Sequence, residues 1–229
     1  MVSRVPTGIP GLDELIGGGL VQKSTTIVEG GPGSGKSIFC MQFLVAGLLQ
    51  GESCLFISFE ETAEHVLQDL RDFPWDLQKS VDSGKLQVTY YTPEQVNQLL
   101  ETGGGLIHDQ LEGMNARRLV IDSLTAFSLL YPRELERRRA LFSLFEAVRR
   151  WGCTSLMTLE SDPEREERRA LSTEFEADSV ILLYNQKREH LRERSLEVLK
   201  MRGSAHTNRI LPMKITSSGI LVYPKESVF

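Results

Sequence analysis

Cysteine is scarce in this chain. Cys40, Cys54 and Cys153 form an odd set with no metal-ligand spacing. A disulfide framework is thereby excluded as the organising device, and the three read as reduced core residues in one helix and two strands. No apolar run approaches the ~20 residues that a membrane-spanning helix needs, so no membrane contact is expected. The opening residues, Met1-Val2-Ser3-Arg4-Val5-Pro6, lack the apolar core of a secretory signal, and the cytoplasm is the expected location. An excess of positive charge is also missing: 26 Lys and Arg stand against 31 Asp and Glu, a net charge of −5. That leaves no general electrostatic footprint for nucleic acid, although a local basic patch stays open. Repeats, linkers and low-complexity tracts are absent. What remains is an ordinary globular composition, 41% hydrophobic and 25% charged, and 229 residues fit one domain over 1–229.

Against that plain background one stretch stands out, Gly30-Gly31-Pro32-Gly33-Ser34-Gly35-Lys36-Ser37. It matches the phosphate-loop pattern G-x-x-x-x-G-K-[ST] at every required position. The β-branched residues 24–29 before it read as a strand, and residues 38–50 after it read as a buried helix. Glycines let the backbone turn its N–H groups inward toward phosphate oxygens, and the helix start adds its positive dipole end. The expected cradle is Gly31, Pro32, Gly33, Ser34, Gly35, Lys36, Ser37 and Ile38. Lys36 is expected to reach the β- and γ-phosphates of a nucleotide triphosphate, and the Ser37 hydroxyl to ligate Mg²⁺.

Strand and helix signals alternate along most of the chain. Residues 53–59, 86–91, 118–122 and 153–158 read as strands. Residues 62–73 and 134–150 read as helices, the first with Thr62 as N-cap. Residues 93–112 read as a helix broken at Gly103-Gly104-Gly105. After that come strands at 179–184, 195–202, 209–215 and 220–223 with no helix between them. The expected fold is α/β, a mostly parallel central sheet flanked by helices, with antiparallel strands at the C-terminal edge. The charge-dense stretch 162–169 reads as a solvated loop.

Leu119-Val120-Ile121-Asp122 is a buried strand that ends in a carboxylate. It delivers Asp122 to the carboxyl edge of the sheet as a second Mg²⁺ ligand, direct or through water. Glu60 and Glu61 follow the strand at 53–59. Paired carboxylates at a strand end orient or deprotonate a water, and Glu60 is the expected water-orienting group with Glu61 beside it. The competing reading is that one of them caps the next helix. Lys200 and Arg202 share a strand face by alternation, with His206 just beyond. Two such cations are able to grip a γ-phosphate, or simply to face solvent.

Together these residues resemble a single KaiC-type domain of the RecA-like ATPase superfamily. The resemblance runs nearly end to end. It takes in Thr7-Gly8-Ile9-Pro10-Gly11-Leu12-Asp13, Gly17-Gly18-Gly19 and the phosphate loop. Beyond these it includes Phe59-Glu60-Glu61-Thr62, Ile121-Asp122-Ser123 and Lys200-Met201-Arg202-Gly203 followed by His206. It implies a homo-hexameric ring with ATP between subunits, and Lys200, Arg202 and His206 acting on the neighbour's γ-phosphate. It also implies a regulatory or signalling ATPase with a protein partner that the sequence does not name. There are departures. Lys23 occupies a turn position where the family usually has glycine. The circadian-clock members of the family carry two such domains in tandem where this chain has one, and Glu174 and Phe175 stand where their second domain has its phosphorylated Ser-Thr pair, with Ser172 and Thr173 just upstream. The alternatives are an autophosphorylating Ser/Thr kinase, an ATP-gated scaffold, and a RecA- or RadA-like DNA-binding ATPase using Arg165, Arg168 and Arg169. Acidic neighbours of those arginines disfavour the DNA reading.

Overall fold

The computed structural model describes residues 2–101, 105–161 and 176–226. Ser172, Thr173, Glu174, Phe175 and the arginines at 165, 168 and 169 lie outside the described residues.

Nine strands form one sheet, and its centre is β3 (Thr25–Gly30), buried at every position. β7 (Thr154–Glu160) and β8 (Ser179–Arg188) flank β3, both parallel to it. Beyond β7 lie β6 (Ala116–Asp122), β4 (Ser53–Ser58) and β5 (Leu86–Tyr90), all parallel. On the other side β9 (Leu191–Met201), β10 (Leu211–Thr216) and β11 (Gly219–Val222) continue the sheet antiparallel. The expected mixed sheet is therefore present, with its antiparallel strands at the C-terminal edge.

Alternation along the buried strands feeds two cores. Val28, Phe56, Val120 and Leu156 face α1 (Lys36–Leu49), α2 (Ala63–Asp69) and α3 (Leu77–Asp82). Ile27, Ile57, Ile121 and Met157 face α4 (Pro93–Glu101), α5 (Gly105–Gly113), α6 (Leu124–Ser128) and α7 (Glu134–Trp151). Each fully buried aliphatic or aromatic side chain of this kind stabilises by about 1.5–3 kcal/mol relative to exposure. Burial on both faces explains why these strands read as continuous apolar runs.

Several features differ from the sequence reading. β1 (Arg4–Val5) and β2 (Leu20–Val21) pair as a short hairpin around a 3-10 turn at Asp13–Ile16, and none of these was expected. α3 and α6 were also unread, because each is short. β8 runs to Arg188 rather than 184. Its far half, Asn185 to Arg188, pairs only with β9 as a projecting ribbon, so it carries polar residues. Cys153 sits one residue before β7, and all three cysteines are free and buried. Lys23 adopts φ 62°, the left-handed region that glycine occupies without strain, and its N–H donates to Thr154 Oγ1 at 2.9 Å. The turn is kept, with lysine in a glycine conformation.

One buried side chain ties distant parts of the chain to α1. Gln42 Nε2 donates to the carbonyls of Gly8 (2.9 Å) and Ile220 (3.1 Å), and its Oε1 accepts from the Ile220 N–H at 2.7 Å. The initial segment and the final hairpin thus both rest on the helix that follows the phosphate loop.

Candidate nucleotide site

β3 hands the chain to the loop at Gly30, and α1 begins at Lys36. Gly35 is the residue before the helix, at φ 102°, a conformation that L side chains rarely adopt. With no capping side chain there, the N–H groups of Lys36, Ser37 and Ile38 have no intrahelical partner. They are available to an anion, and the helix dipole favours one. Two side chains of the β8–β9 ribbon hold the loop from the side. Asn185 Nδ2 donates to the Pro32 carbonyl (3.1 Å) and Arg194 Nε to the Gly33 carbonyl (3.0 Å).

Lys36 Nζ donates to the carbonyls of Gly30 (2.9 Å) and Gly31 (3.2 Å) and lies 3.7 Å from the Glu160 carboxylate. Ser37 Oγ donates to Asp122 Oδ2 at 2.9 Å, and the Thr158 hydroxyl donates to the other Asp122 oxygen. Burial pushes the Asp122 carboxyl above its ordinary value and Glu60 adds to the push. The two hydroxyl bonds and the Lys36 charge work against it.

Glu60 and Glu61 leave the end of β4 in a tight turn. Ser58 Oγ accepts from both of their N–H groups, at 3.3 and 2.9 Å. Ser123 Oγ donates to Glu60 Oε1 at 2.5 Å and fixes that carboxylate next to Asp122. The α2 N-cap is Thr62, whose hydroxyl accepts from the His65 N–H, so neither glutamate serves that purpose. Partial burial raises the Glu61 carboxyl, helped by Asp69, Asp122 and Glu60 and opposed by His65.

These groups share one cleft of about 420 Å³, which brings together the loop, Lys36, Ser37, Ile38, Glu60, Glu61 and Asp122. Glu160 and Asp69 also line it, and the sequence reading missed both. The Glu160 signal was present: the strand at 153–158 extends two residues further, and Glu160 pairs in register with Gly30. Magnesium takes oxygen ligands and normally keeps several waters alongside one or two protein groups. The Ser37 hydroxyl and Asp122 carboxylate, already in contact, fit that demand. Among the described residues no set of three or more His, Cys, Asp or Glu forms an all-protein cage.

Lys200, Arg202 and His206 are not in this cleft. Met201 pairs with Ser179, and Ser179 with Thr26, at the start of β3. From Thr26 to Gly30 the strand climbs about 13 Å at ~3.3 Å per residue. The three residues therefore lie at the sheet edge opposite the phosphate loop. Lys200 Nζ donates to the Ala177 carbonyl at 2.7 Å. β9 ends at Met201, so the alternation expected to carry Arg202 on the face of Lys200 stops one residue short, and Arg202 enters a turn.

Comparison with known proteins agrees with this geometry. The family model described as "ATPase: KaiC" matches residues 5–227. The circadian clock oscillator protein KaiC of Synechococcus elongatus is 35% identical over 97% of this chain, which spans only 44% of that protein. A UPF0273 protein of Pyrococcus furiosus is 32% identical, over 98% of this chain and 95% of its own length. The crystal structure of a KaiC-like protein from Pyrococcus horikoshii superposes with a TM-score of 0.86 at 32% identity, covering 98% of this chain and all of that one. No helix among the described residues is long and apolar enough to cross a membrane.

Proposed function

The chain belongs to the KaiC family of ATPases, and from that membership we propose that it hydrolyses ATP in a Mg²⁺-dependent reaction at the cleft beside the phosphate loop. The observation that carries this reading is the Ser37–Asp122 contact of 2.9 Å, set between the Lys36 ammonium and the Glu60 carboxylate. The N–H groups at the start of α1 and Lys36 take the phosphate oxygens. Ser37 and Asp122 would hold Mg²⁺, which would supply positive charge to offset that of the phosphates.

Glu60, steadied by Ser123, orients a water and accepts its proton. The water oxygen bonds to the γ-phosphorus as the bond to the β–γ bridging oxygen breaks. The bond pair leaves with ADP, and the products are ADP and inorganic phosphate. Lys200 and Arg202, with His206, act on the γ-phosphate of a neighbouring copy. Their place at the opposite sheet edge supports this, since they do not reach their own chain's loop. Residues 1–229 work as one unit in a homo-hexameric ring in the cytoplasm, with ATP between subunits. The role is regulatory, exercised through a protein partner.

The test follows γ-labelled ATP with purified protein, with and without Mg²⁺. Label released as free phosphate only with the metal, and lost in Asp122→Ala, is expected. Label retained on protein would replace hydrolysis by autophosphorylation.

A further inference from the structure

Arg4 belongs to β1, far in sequence from any residue of the cleft. Its guanidinium nonetheless has four polar partners from three other parts of the chain. Nη1 donates to the carbonyls of Ile16 and Gly19, each at 3.2 Å. The same nitrogen lies 3.7 Å from Met201 Sδ, and Nη2 donates to Ser204 Oγ at 2.7 Å.

Met201 and Ser204 are the two ends of one tight turn. The Ser204 N–H donates to the Met201 carbonyl at 3.3 Å, which makes the four residues a β-turn with Arg202 and Gly203 at its centre. Gly203 has φ 65°, a left-handed value that type II and I′ turns place at the third position and that glycine adopts without strain. The Arg202 N–H donates to the Asp178 carbonyl at 2.8 Å, and the Thr207 N–H to the Leu15 carbonyl at 3.1 Å. Arg4 thus grips both ends of the turn that carries Arg202. It fastens that turn to the rim of the β1–β2 hairpin, at Ile16 and Gly19.

We infer that Arg4 is a positioning residue for Arg202: it sets the direction in which the turn offers the Arg202 guanidinium to a neighbouring copy's ATP. This rests on the reading that Arg202 acts in trans. One planar fork thus meets two hairpin carbonyls and both ends of the turn at once, a spread that a lysine ammonium does not reproduce. Misplacing a charge-stabilising group by about 1 Å costs on the order of 10²-fold in rate while substrate binding is little changed. Arg4→Ala should therefore lower kcat about 10–100-fold and leave the KM for ATP within about twofold.

A subunit-mixing assay distinguishes this from general damage. Arg4→Ala chains keep an intact phosphate loop and lose a well-placed Arg202. Lys36→Ala chains lose the loop's grip and keep Arg202 in place. In a head-to-tail ring mixed 1:1, about half of the Arg4→Ala loops face an intact Arg202 from a Lys36→Ala neighbour. Turnover in the mixture should rise well above the sum of the two proteins measured alone. Arg202→Ala mixed with Lys36→Ala is the control and should recover in the same way. Ser204→Ala, which removes only one partner of Arg4, should show a smaller loss and the same recovery, and it carries the test if Arg4→Ala does not fold. Recovery in the control but not with either Arg4→Ala or Ser204→Ala overturns the positioning role alone. Recovery in neither mixture overturns the trans reading beneath it.

Discussion

Arg118 is a charge with no exposure to solvent, and removing its partner should cost more than removing the arginine itself. Its Nε lies 2.5 Å from Glu52 Oε2, and Nη1 donates to the carbonyls of Pro6 and Phe43, both at 2.8 Å. The guanidinium carbon stands 4.6 Å over the Phe43 ring. Glu52→Ala would leave the buried cation without its anion. Breaking a fully buried pair in this way costs about 3–5 kcal/mol. Glu52 is 27% exposed, so water screens part of the interaction, and about 2–3 kcal/mol is expected. For a chain of 229 residues that lowers Tm by roughly 5–10 °C. Arg118→Met removes the charge together with its desolvation penalty and fills similar volume. Its cost should be about 1 kcal/mol, a fall of roughly 2–4 °C. Calorimetry of both variants at neutral pH decides the matter. An Arg118→Met protein less stable than Glu52→Ala would refute the reasoning, because the two carbonyl bonds would then outweigh the burial of the charge.

Lys36→Ala should abolish tight ATP binding in a calorimetric titration. Arg202→Ala should leave binding intact and slow turnover about 10³-fold, as loss of an arginine finger does. Asp122→Asn should bind Mg²⁺-ATP poorly yet raise Tm at neutral pH. The Asp122 carboxyl is raised by burial, so its contribution to stability is present below the ordinary carboxylate range and lost as pH rises through the raised value. The gain from Asn should therefore vanish in thermal scans carried toward pH 4. None of the cysteines should react quickly with a disulfide reagent at pH 8 in the folded protein. Burial pushes Cys54 up to about 12 and Cys153 to about 11, and Cys40 is also raised. Labelling should follow unfolding, and fast native labelling would contradict the burial.

The cleft was legible where its chemistry is local. The phosphate loop is set by neighbouring residues, because glycine conformations, strand and helix start all fall within about fifteen positions. Asp122 was legible because a buried parallel strand is an apolar run and its end is marked by the first charge. Glu60 and Glu61 were legible for the same reason. What escaped depends on pairing between distant strands. Asn185 and Arg194 clamp the loop, yet in sequence they are ordinary polar residues on a ribbon with no apolar alternation. The position of Arg202 at the far sheet edge follows from the β3–β8–β9 register, which no local pattern encodes. Arg4 was unreadable for a further reason. Its partners are carbonyls, a thioether and a hydroxyl, contacts that leave no charge pattern.

The Gln42 contacts give the chain a schedule. The phosphate loop is synthesised early, but the helix behind it takes bonds from Ile220, 178 positions later. A side chain at Gly35 would likewise run into Ile215 and Ile220 of the final hairpin. Contacts of such long sequence separation are entropically expensive to close and form late. During synthesis the nascent chain therefore carries the complete loop motif for most of its length without the floor that shapes it. The helix that opens at the loop is thus seated last on strands made long after it, and a chain cut before β11 would carry the loop motif on an α1 whose Gln42 lacks its Ile220 partners.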